Sequence, residues 1–113
     1  MKKAARILIV DDNPVNIDLL KHHISRDTDN ELITAHSGGE ALSALENPDE
    51  EVPDLILLDV VMPDIDGFDV ARRLKANERT KDIPIIFITS LDDVESKVTA
   101  FEHGGVDYIC KPF

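Results

Sequence analysis

Three kinds of feature are scarce in this chain of 113 residues, and each scarcity excludes a class of protein. Basic residues number 12 against 23 acidic ones, and the net charge of −11 argues against a partner such as nucleic acid or an anionic membrane. Cys110 is the single cysteine, which excludes an intrachain disulfide and fits a reducing cytoplasm. Long apolar runs are missing, and residues 7–10 stop at two aspartates, so we expect neither a membrane span nor an export signal.

The chain does have enough apolar sequence for one core. A hydrophobic fraction of 42% is too high for a disordered acidic segment, and we expect a single domain over residues 1–113. Four short runs rich in Ile, Val and Leu do not alternate with polar residues, which is typical of strands buried on both faces of a parallel sheet. A further, half-polar run suits an edge strand. In chain order, with the half-polar run second, the runs cover residues 6–10, 31–35, 54–58, 83–89 and 106–110.

Helical patterns separate the predicted strands. Asn13 followed by Pro14 is typical of a helix start, and Gly104-Gly105 is typical of a helix end. The alternation of strands and helices implies right-handed crossovers, so the predicted fold class is doubly wound α/β with a parallel sheet and helices on both faces. The predicted helices run from Pro14 to near Arg26 and over residues 38–46, 67–76 and 92–103.

Polar residues come at the ends of four predicted strands. Asp11 and Asp12 follow the first strand, and Asp59 stands at the end of the third. Thr89 ends the fourth strand, and Lys111 follows the fifth. Each residue alone has an ordinary explanation as a loop, turn, strand or surface residue. Ligands of doubly wound sheets, however, bind beyond the carboxyl ends of the strands, and there the fold would bring all of these residues together.

The chemistry of this set is that of phosphoryl transfer. Crowded carboxylates resist simultaneous ionisation, and a divalent cation relieves the repulsion. Hard oxygen ligands favour Mg²⁺ or Mn²⁺, and there is no His/Cys cluster for zinc. We predict that Asp59 is the nucleophile and forms an aspartyl phosphate. Lys111 would neutralise charge on the transferring group, and Thr89 would donate a hydrogen bond to one of its oxygens.

Five motifs in order along the chain make it similar to a known family. With them the chain resembles the receiver domain of bacterial two-component response regulators, and the resemblance covers the whole chain. It implies a flavodoxin-like sheet with strand order 2-1-3-4-5. The motifs are ILIVDDN at 7–13, DLILLD at 54–59, MPDIDG at 62–67, PIIFITS at 84–90, and GGVDY at 104–108 with KPF at 111–113.

The resemblance implies a phosphoacceptor and a metal site. Asp59 corresponds to the residue that takes the phosphoryl group from a histidine kinase or phosphotransfer protein. Asp11 and Asp12 correspond to the acidic pair that positions Mg²⁺, with Asp12 the more direct ligand. Asp59 and the backbone carbonyl of Val61 would complete the metal ligands. Such a module catalyses only its own phosphorylation and dephosphorylation and turns over no external substrate.

The resemblance also implies a switch. Lys111 corresponds to the lysine that contacts the phosphoryl group, and its bond to Pro112 is typically cis in the family. Thr89 and Tyr108 correspond to the switch pair. In the family, the threonine hydroxyl moves toward the phosphoryl group, and the aromatic ring turns inward to fill the vacated space.

Two apolar residues stand where polar side chains would assist hydrolysis of the aspartyl phosphate. Val61 and Leu91 stand two positions after Asp59 and Thr89, and in the family these positions influence the attacking water. Neither side chain can form a hydrogen bond to that water. We therefore predict slow self-dephosphorylation.

A larger departure is length, because the family usually continues into a fifth helix and this sequence stops at Phe113. We favour a piece of a longer regulator with a C-terminal output domain. A partner chain that supplies the helix, or a natural single domain with an exposed apolar face, is the alternative. A homodimer is compatible with the sequence.

Other functions fit the residues less well. An aspartate-nucleophile phosphatase of the haloacid-dehalogenase type is the main alternative, but it needs a second Asp at the position of Val61. A calcium loop around Gly67 would require Asp and Glu where the chain has Met62 and Arg73. A nucleotide-binding module would need a glycine-rich loop after the first strand, and that loop is missing.

Overall fold

The computed structural model describes residues 5–25, 30–90 and 107–111. Strands and helices alternate along these residues from the first strand to the fourth. The predicted helix over residues 92–103, Leu91, and the bond between Lys111 and Pro112 lie outside the described residues. In chain order the elements are β1 (Arg6–Val10), α1 (Pro14–Ser25), β2 (Glu31–Ala35), α2 (Gly38–Glu46), β3 (Leu55–Asp59), α3 (Gly67–Lys75), β4 (Ile85–Ser90) and β5 (Asp107–Lys111).

All five strands form one parallel sheet in the order β2-β1-β3-β4-β5, which confirms the predicted fold class and strand order. β1 and β2 have the predicted bounds, and the bounds of β3, β4 and β5 differ from the prediction by one or two residues. β4 begins after Pro84 because proline has no N–H for the strand ladder. β4 ends at Ser90 rather than Thr89, and Lys111 is the last residue of β5 rather than the residue after it, because Ser90 and Lys111 are paired in register.

The strands read as continuous apolar runs because both faces of the sheet are covered. On one face, Leu8, Ile56 and Phe87 belong to a core that also takes buried side chains from α2 and α3. On the other face, neighbouring strand residues such as Ile9 and Leu57 pack with Ile17 and Leu20 of α1. Successive residues of a strand point to opposite faces of the sheet, so a central strand needs apolar residues at odd and even positions alike. Within the described residues, no helix has the length and apolar character needed to span a membrane.

Helix α2 is held at its carboxyl end by a residue from a distant loop. The guanidinium of Arg79 donates hydrogen bonds to the backbone carbonyls of Leu45, Asn47 and Glu50. These carbonyls lie in or just after the last turn, where a helix leaves acceptors without intrahelical partners. A positive charge at this end also complements the helix dipole. The loop between α3 and β4 is thereby attached to α2.

Candidate functional site

The loop between β1 and α1 delivers two carboxylates and is organised by its own residues. The N–H of Asp11 donates to the carbonyl of Ala35 at 3.1 Å, which continues the pairing of β1 with β2. One carboxylate oxygen of Asp11 accepts the N–H of Asn13 at 2.9 Å. The side-chain oxygen of Asn13 accepts the N–H of Val15 at 2.9 Å, so Asn13 caps α1 as the sequence predicts. Asp11 is fully buried, and Asp12 is exposed.

Asp59 is the last residue of β3, and only 2% of its surface is exposed. The chain leaves the sheet at the next residue under two backbone constraints. The N–H of Val60 donates to the carbonyl of Ile88 at 3.0 Å, and the carbonyl of Val60 accepts the N–H of Gly67 at 2.8 Å. A Cβ at Gly67 would lie 2.1 Å from the backbone oxygen of Asp59, so this close approach needs glycine.

The two strand ends bring three carboxylates together. Asp11, Asp12 and Asp59 each offer one oxygen, and these oxygens lie within 4.8 Å of one another. The sequence predicts this convergence, and the geometry of parallel strands produces it because β1 and β3 are neighbours in the sheet. The donor set consists of hard oxygens, two of them from buried side chains and one from an exposed one. It therefore fits a divalent cation such as Mg²⁺ or Mn²⁺.

The other predicted site residues are placed by the backbone alone. In β4, Ile88 pairs with Asp59, so Thr89 stands one residue beyond that pair. Thr89 pairs with Cys110, and Ser90 pairs with Lys111, so Thr89 and Lys111 belong to the carboxyl ends of neighbouring strands. The side chains of Thr89, Tyr108 and Lys111 lie outside the described part of the structure.

The segment after Asp59 carries one more predicted position. Val61 follows Val60 directly, and 72% of the surface of this residue is exposed. An exposed valine offers no hydrogen-bonding group to water beside Asp59. Packing in the core therefore does not account for a valine at this position.

Sequence reasoning missed Asp64, which attaches this segment to another helix. Its two carboxylate oxygens accept the N–H groups of Gly38 and Gly39, at 3.2 and 2.8 Å. The hydrogen bond from Gly39 is the largest cause that holds the pKa of Asp64 below its usual range; slight desolvation of this exposed group opposes it, and the hydrogen bond from Gly38 adds to the lowering. The partners are 25 residues or more away in the sequence, so no local pattern could have indicated the contact.

Known proteins share both the sequence and the fold. Residues 7–113 match the family described as the response regulator receiver domain. The DNA-binding dual master transcriptional regulator RpaA of Synechocystis sp. is 39% identical over 110 residues, which are 96% of this chain and 43% of that protein. A putative response regulator from Chloroflexus aurantiacus superposes with a TM-score of 0.88 at 35% identity, over 98% of this chain and 88% of that one.

A third similar protein is a metal-bound structure. The Mn²⁺-bound form of the response regulator Rcp1 has a TM-score of 0.86 at 29% identity, over 96% of this chain and 81% of that one. The sequence match over residues 7–113 and the similarity of fold to solved response regulators agree with one another. The chain belongs to the family of response regulator receiver domains.

Proposed function

We propose that this receiver domain is a phosphorylation-controlled switch in which Asp59 accepts a phosphoryl group. The observation that carries the proposal is the cluster of Asp11, Asp12 and Asp59 at the carboxyl edge of the sheet. Parallel α/β sheets bind their ligands at this edge. Asp59 has the position expected of a nucleophile, because it ends a central strand and is held by the rigid sheet rather than by a loop.

The proposed reaction is a transfer from a phosphohistidine of a sensor kinase or phosphotransfer protein. A carboxylate oxygen of Asp59 attacks the phosphorus atom, and an O–P bond forms. The N–P bond to the histidine ring breaks, and the ring nitrogen keeps the electron pair of that bond. The products are an aspartyl phosphate on this domain and an unmodified histidine on the donor.

The proposal includes a divalent cation held by this chain. Asp11, Asp12, Asp59 and the backbone carbonyl of Val61 would hold Mg²⁺, or Mn²⁺ in its place. When bound, such a cation neutralises charge on the phosphoryl oxygens. The three carboxylates supply the hard oxygen ligands that this ion prefers, and the exposure of Asp12 leaves the site open to solvent.

Residues of the two following strands would complete the site. Lys111 would neutralise charge on the phosphoryl group, and Thr89 would donate a hydrogen bond to one of its oxygens. Tyr108 would respond to the movement of Thr89 as its switch partner. The register supports this grouping, because Thr89 and Lys111 lie at the carboxyl ends of β4 and β5, next to the strand that carries Asp59.

The proposal extends to the whole protein. The chain spans less than half the length of RpaA, of which it covers 43%. We therefore propose that residues 1–113 are the receiver domain of a longer cytoplasmic regulator and that phosphorylation of Asp59 controls a C-terminal output domain. A homodimer of receiver domains is a compatible form of that control.

The test is phosphorylation by a small-molecule donor. Incubation with acetyl phosphate and Mg²⁺ is expected to add the mass of one phosphoryl group, in a form that hydroxylamine removes as it does from acyl phosphates. Asp59→Asn is expected to abolish the addition because an amide is not a nucleophile at neutral pH. Asp66→Asn is the matched control, since Asp66 lies in the following loop and caps α3 through the N–H of Phe68.

Two results would contradict the proposal. One is phosphorylation of Asp59→Asn to the same extent as the wild type. The other is steady hydrolysis of phosphate esters over many turnovers, which would identify an aspartate-nucleophile phosphatase instead.

A further inference from the structure

The loop between β3 and α3, residues 60–66, is attached to the amino end of α2. Asp64 accepts hydrogen bonds from the N–H groups of Gly38 and Gly39, and the next N–H, of Glu40, donates to the hydroxyl of Ser37 at 3.0 Å. The first turn of a helix has N–H groups without intrahelical partners. Here a local cap satisfies one of them, and a residue from another loop satisfies the two before it.

Packing reinforces the attachment. A Cβ at Gly38 would lie 2.0 Å from the Cγ2 atom of Ile65, so the loop lies directly against the helix at the residue that follows Asp64. Ile65 also packs on the core shared with α2 and α3. The middle of the loop is therefore fixed to α2 by a pair of polar bonds and an apolar contact side by side.

The two ends of the loop are fixed separately. Val60 is bonded to Ile88 and to Gly67, and Asp66 caps α3. Val61 lies between the first of these anchors and Asp64, and its exposed side chain does little to hold it. The backbone position of Val61 is thus governed by an anchor on either side. Before it are the hydrogen bonds of Val60, and after it is the contact of Asp64 with α2.

The attachment also connects the two parts of the acidic cluster, which are Asp11 and Asp12 after β1 and Asp59 at the end of β3. Helix α2 follows β2, and the carbonyl of Ala35 at the end of β2 accepts the N–H of Asp11. Asp64 belongs to the loop that leaves Asp59. A path of hydrogen bonds and chain therefore runs from Asp11 through the end of β2 and the start of α2 to the loop that follows Asp59. This path is additional to the direct pairing of β1 with β3 in the sheet.

From these contacts we infer that Asp64 is a positioning residue for the cation site. By holding the β3–α3 loop on the first turn of α2, it fixes the carbonyl of Val61 relative to Asp11, Asp12 and Asp59. Bonds from outer residues that orient ligands typically contribute strongly to metal affinity. The inference rests on the proposed function, because it assigns to Asp64 the geometry of the cation site proposed there.

The charge of Asp64 is accommodated by the same contact. A carboxylate at the start of a helix is stabilised by the helix dipole and by the N–H groups there. The hydrogen bond from Gly39 lowers the pKa of Asp64, so the group stays ionised and continues to accept both bonds in more acidic solution than an ordinary aspartate would. The loop thus carries a further negative charge that is bound to α2.

The test compares Mn²⁺ affinity with stability in three variants. Asp64→Ala removes both acceptors and is expected to weaken Mn²⁺ binding about tenfold. Asp64→Asn keeps one acceptor oxygen and should recover part of that loss. Ser37→Ala is the matched control: it removes the local cap of the same helix and leaves the β3–α3 loop attached, so it should lower the urea midpoint without weakening Mn²⁺ binding.

A fourth variant covers the case in which Asp64→Ala does not fold. At Gly39 a Cβ would lie 3.2 Å from a carboxylate oxygen of Asp64, so Gly39→Ala crowds the contact while raising the helix propensity of α2. It is expected to weaken Mn²⁺ binding without lowering stability, a combination that a merely structural role for Asp64 would not produce.

Three outcomes would overturn the inference. They are wild-type Mn²⁺ affinity in both Asp64 variants, an equal loss of affinity in Ser37→Ala, and the lack of Mn²⁺ binding by the wild-type domain. The proposed phosphorylation is judged separately by the Asp59→Asn experiment with acetyl phosphate. A domain that binds Mn²⁺ through the Asp64 contact but is not phosphorylated at Asp59 would uphold the inference and contradict the proposed function.

Discussion

Two loops deliver carboxylates to the same site, and they are built on different principles. The β1–α1 loop consists of Asp11, Asp12 and Asn13, and its side-chain hydrogen bonds join residues two positions apart. The β3–α3 loop spans residues 60–66, and its contacts reach Ile88 in β4 and the first turn of α2. The side-chain bonds of the first loop stay within the loop and the start of α1, and its backbone is also joined to β2 through Asp11, whereas the second loop is held mainly by bonds to other elements.

The difference bears on how each loop should respond to change. A loop with local bonds loses only the bond that is removed, because its neighbours keep their own partners. A loop with remote anchors transmits a disturbance to every element that it joins. We therefore expect substitutions in the β3–α3 loop to affect the acidic cluster more than comparable substitutions in the β1–α1 loop.

The largest effect is expected for Gly67→Ala, at the first residue of α3, directly after the β3–α3 loop. The new Cβ would meet the backbone oxygen of Asp59 at 2.1 Å, and a backbone atom in a sheet cannot move aside as a side chain can. Overpacking of this kind costs about 3 kcal/mol of unfolding free energy, as measured by urea denaturation. Mn²⁺ affinity should fall as well, because Asp59 is displaced.

Gly39→Ala is the matched control for the predicted loss of unfolding free energy in Gly67→Ala. Its Cβ would approach only a carboxylate oxygen of Asp64, at 3.2 Å. Equal stability of Gly67→Ala and Gly39→Ala would contradict the close contact of Gly67 with the backbone of Asp59.

A smaller effect is expected for Asn13→Ala, in the β1–α1 loop. The substitution removes the cap of α1 and costs about 1 kcal/mol of unfolding free energy. The bond to Asp11 comes from the backbone N–H of Asn13 and survives the substitution, so Mn²⁺ affinity should stay close to that of the wild type. Asn16→Ala, within α1, is the control for a change in helix composition. A large loss of Mn²⁺ affinity in Asn13→Ala would contradict the local character of this loop.

A third prediction uses the exposed residue of the β3–α3 loop. Val61→Asn should change the free energy of unfolding by no more than about 0.5 kcal/mol, because the residue is 72% exposed and its side chain is not packed in the core. The amide can form a hydrogen bond to water beside the aspartyl phosphate, so the phosphorylated form should decay several-fold faster in Mg²⁺. Decay is followed as the loss of the phosphorylated mass over time. An equal or longer half-life in Val61→Asn would contradict the prediction of slow self-dephosphorylation.

The smallest effect concerns the acid dependence of the Asp64 contact. Its pKa is lower in the folded domain than the ordinary value of 3.8, so its contribution to stability is present above that value and is lost as the pH falls through the folded pKa. The stability difference between the wild type and Asp64→Asn, measured by urea denaturation across a pH series, should therefore shrink below pH 3.8. A difference that grew on acidification would contradict the assignment.

The contrast between the loops also explains what the sequence could reveal. The cap at Asn13 and the convergence of Asp11 and Asp59 are predicted correctly, because a cap is local and alternating strands and helices imply a parallel sheet whose carboxyl ends share one edge. The strand order itself is implied by the resemblance. Strand ends are predicted less well, since pairing partners such as Lys111 set them. The roles of Lys111, Thr89 and Tyr108 remain predictions that rest on the resemblance.

Asp64 and Arg79 show where sequence reasoning stops. Both side chains bond to backbone groups in or directly after α2, and their partners are 25 or more residues away along the chain. Neither contact leaves a pattern of spacing or composition, because Asp and Arg are common in loops of every kind. Only the folded arrangement of the loops around α2 turns these residues into caps.

The cap on α2 gives the site a built-in reporter for hydrogen exchange. The first amides of a helix ordinarily exchange quickly, because they lack an acceptor within the helix. Here the amides of Gly38 and Gly39 are bonded to Asp64, so solvent can take their protons only when the β3–α3 loop lifts from α2. Their exchange rates therefore measure how often the loop beside Asp59 opens, and a ligand that tightens the site should slow both amides together.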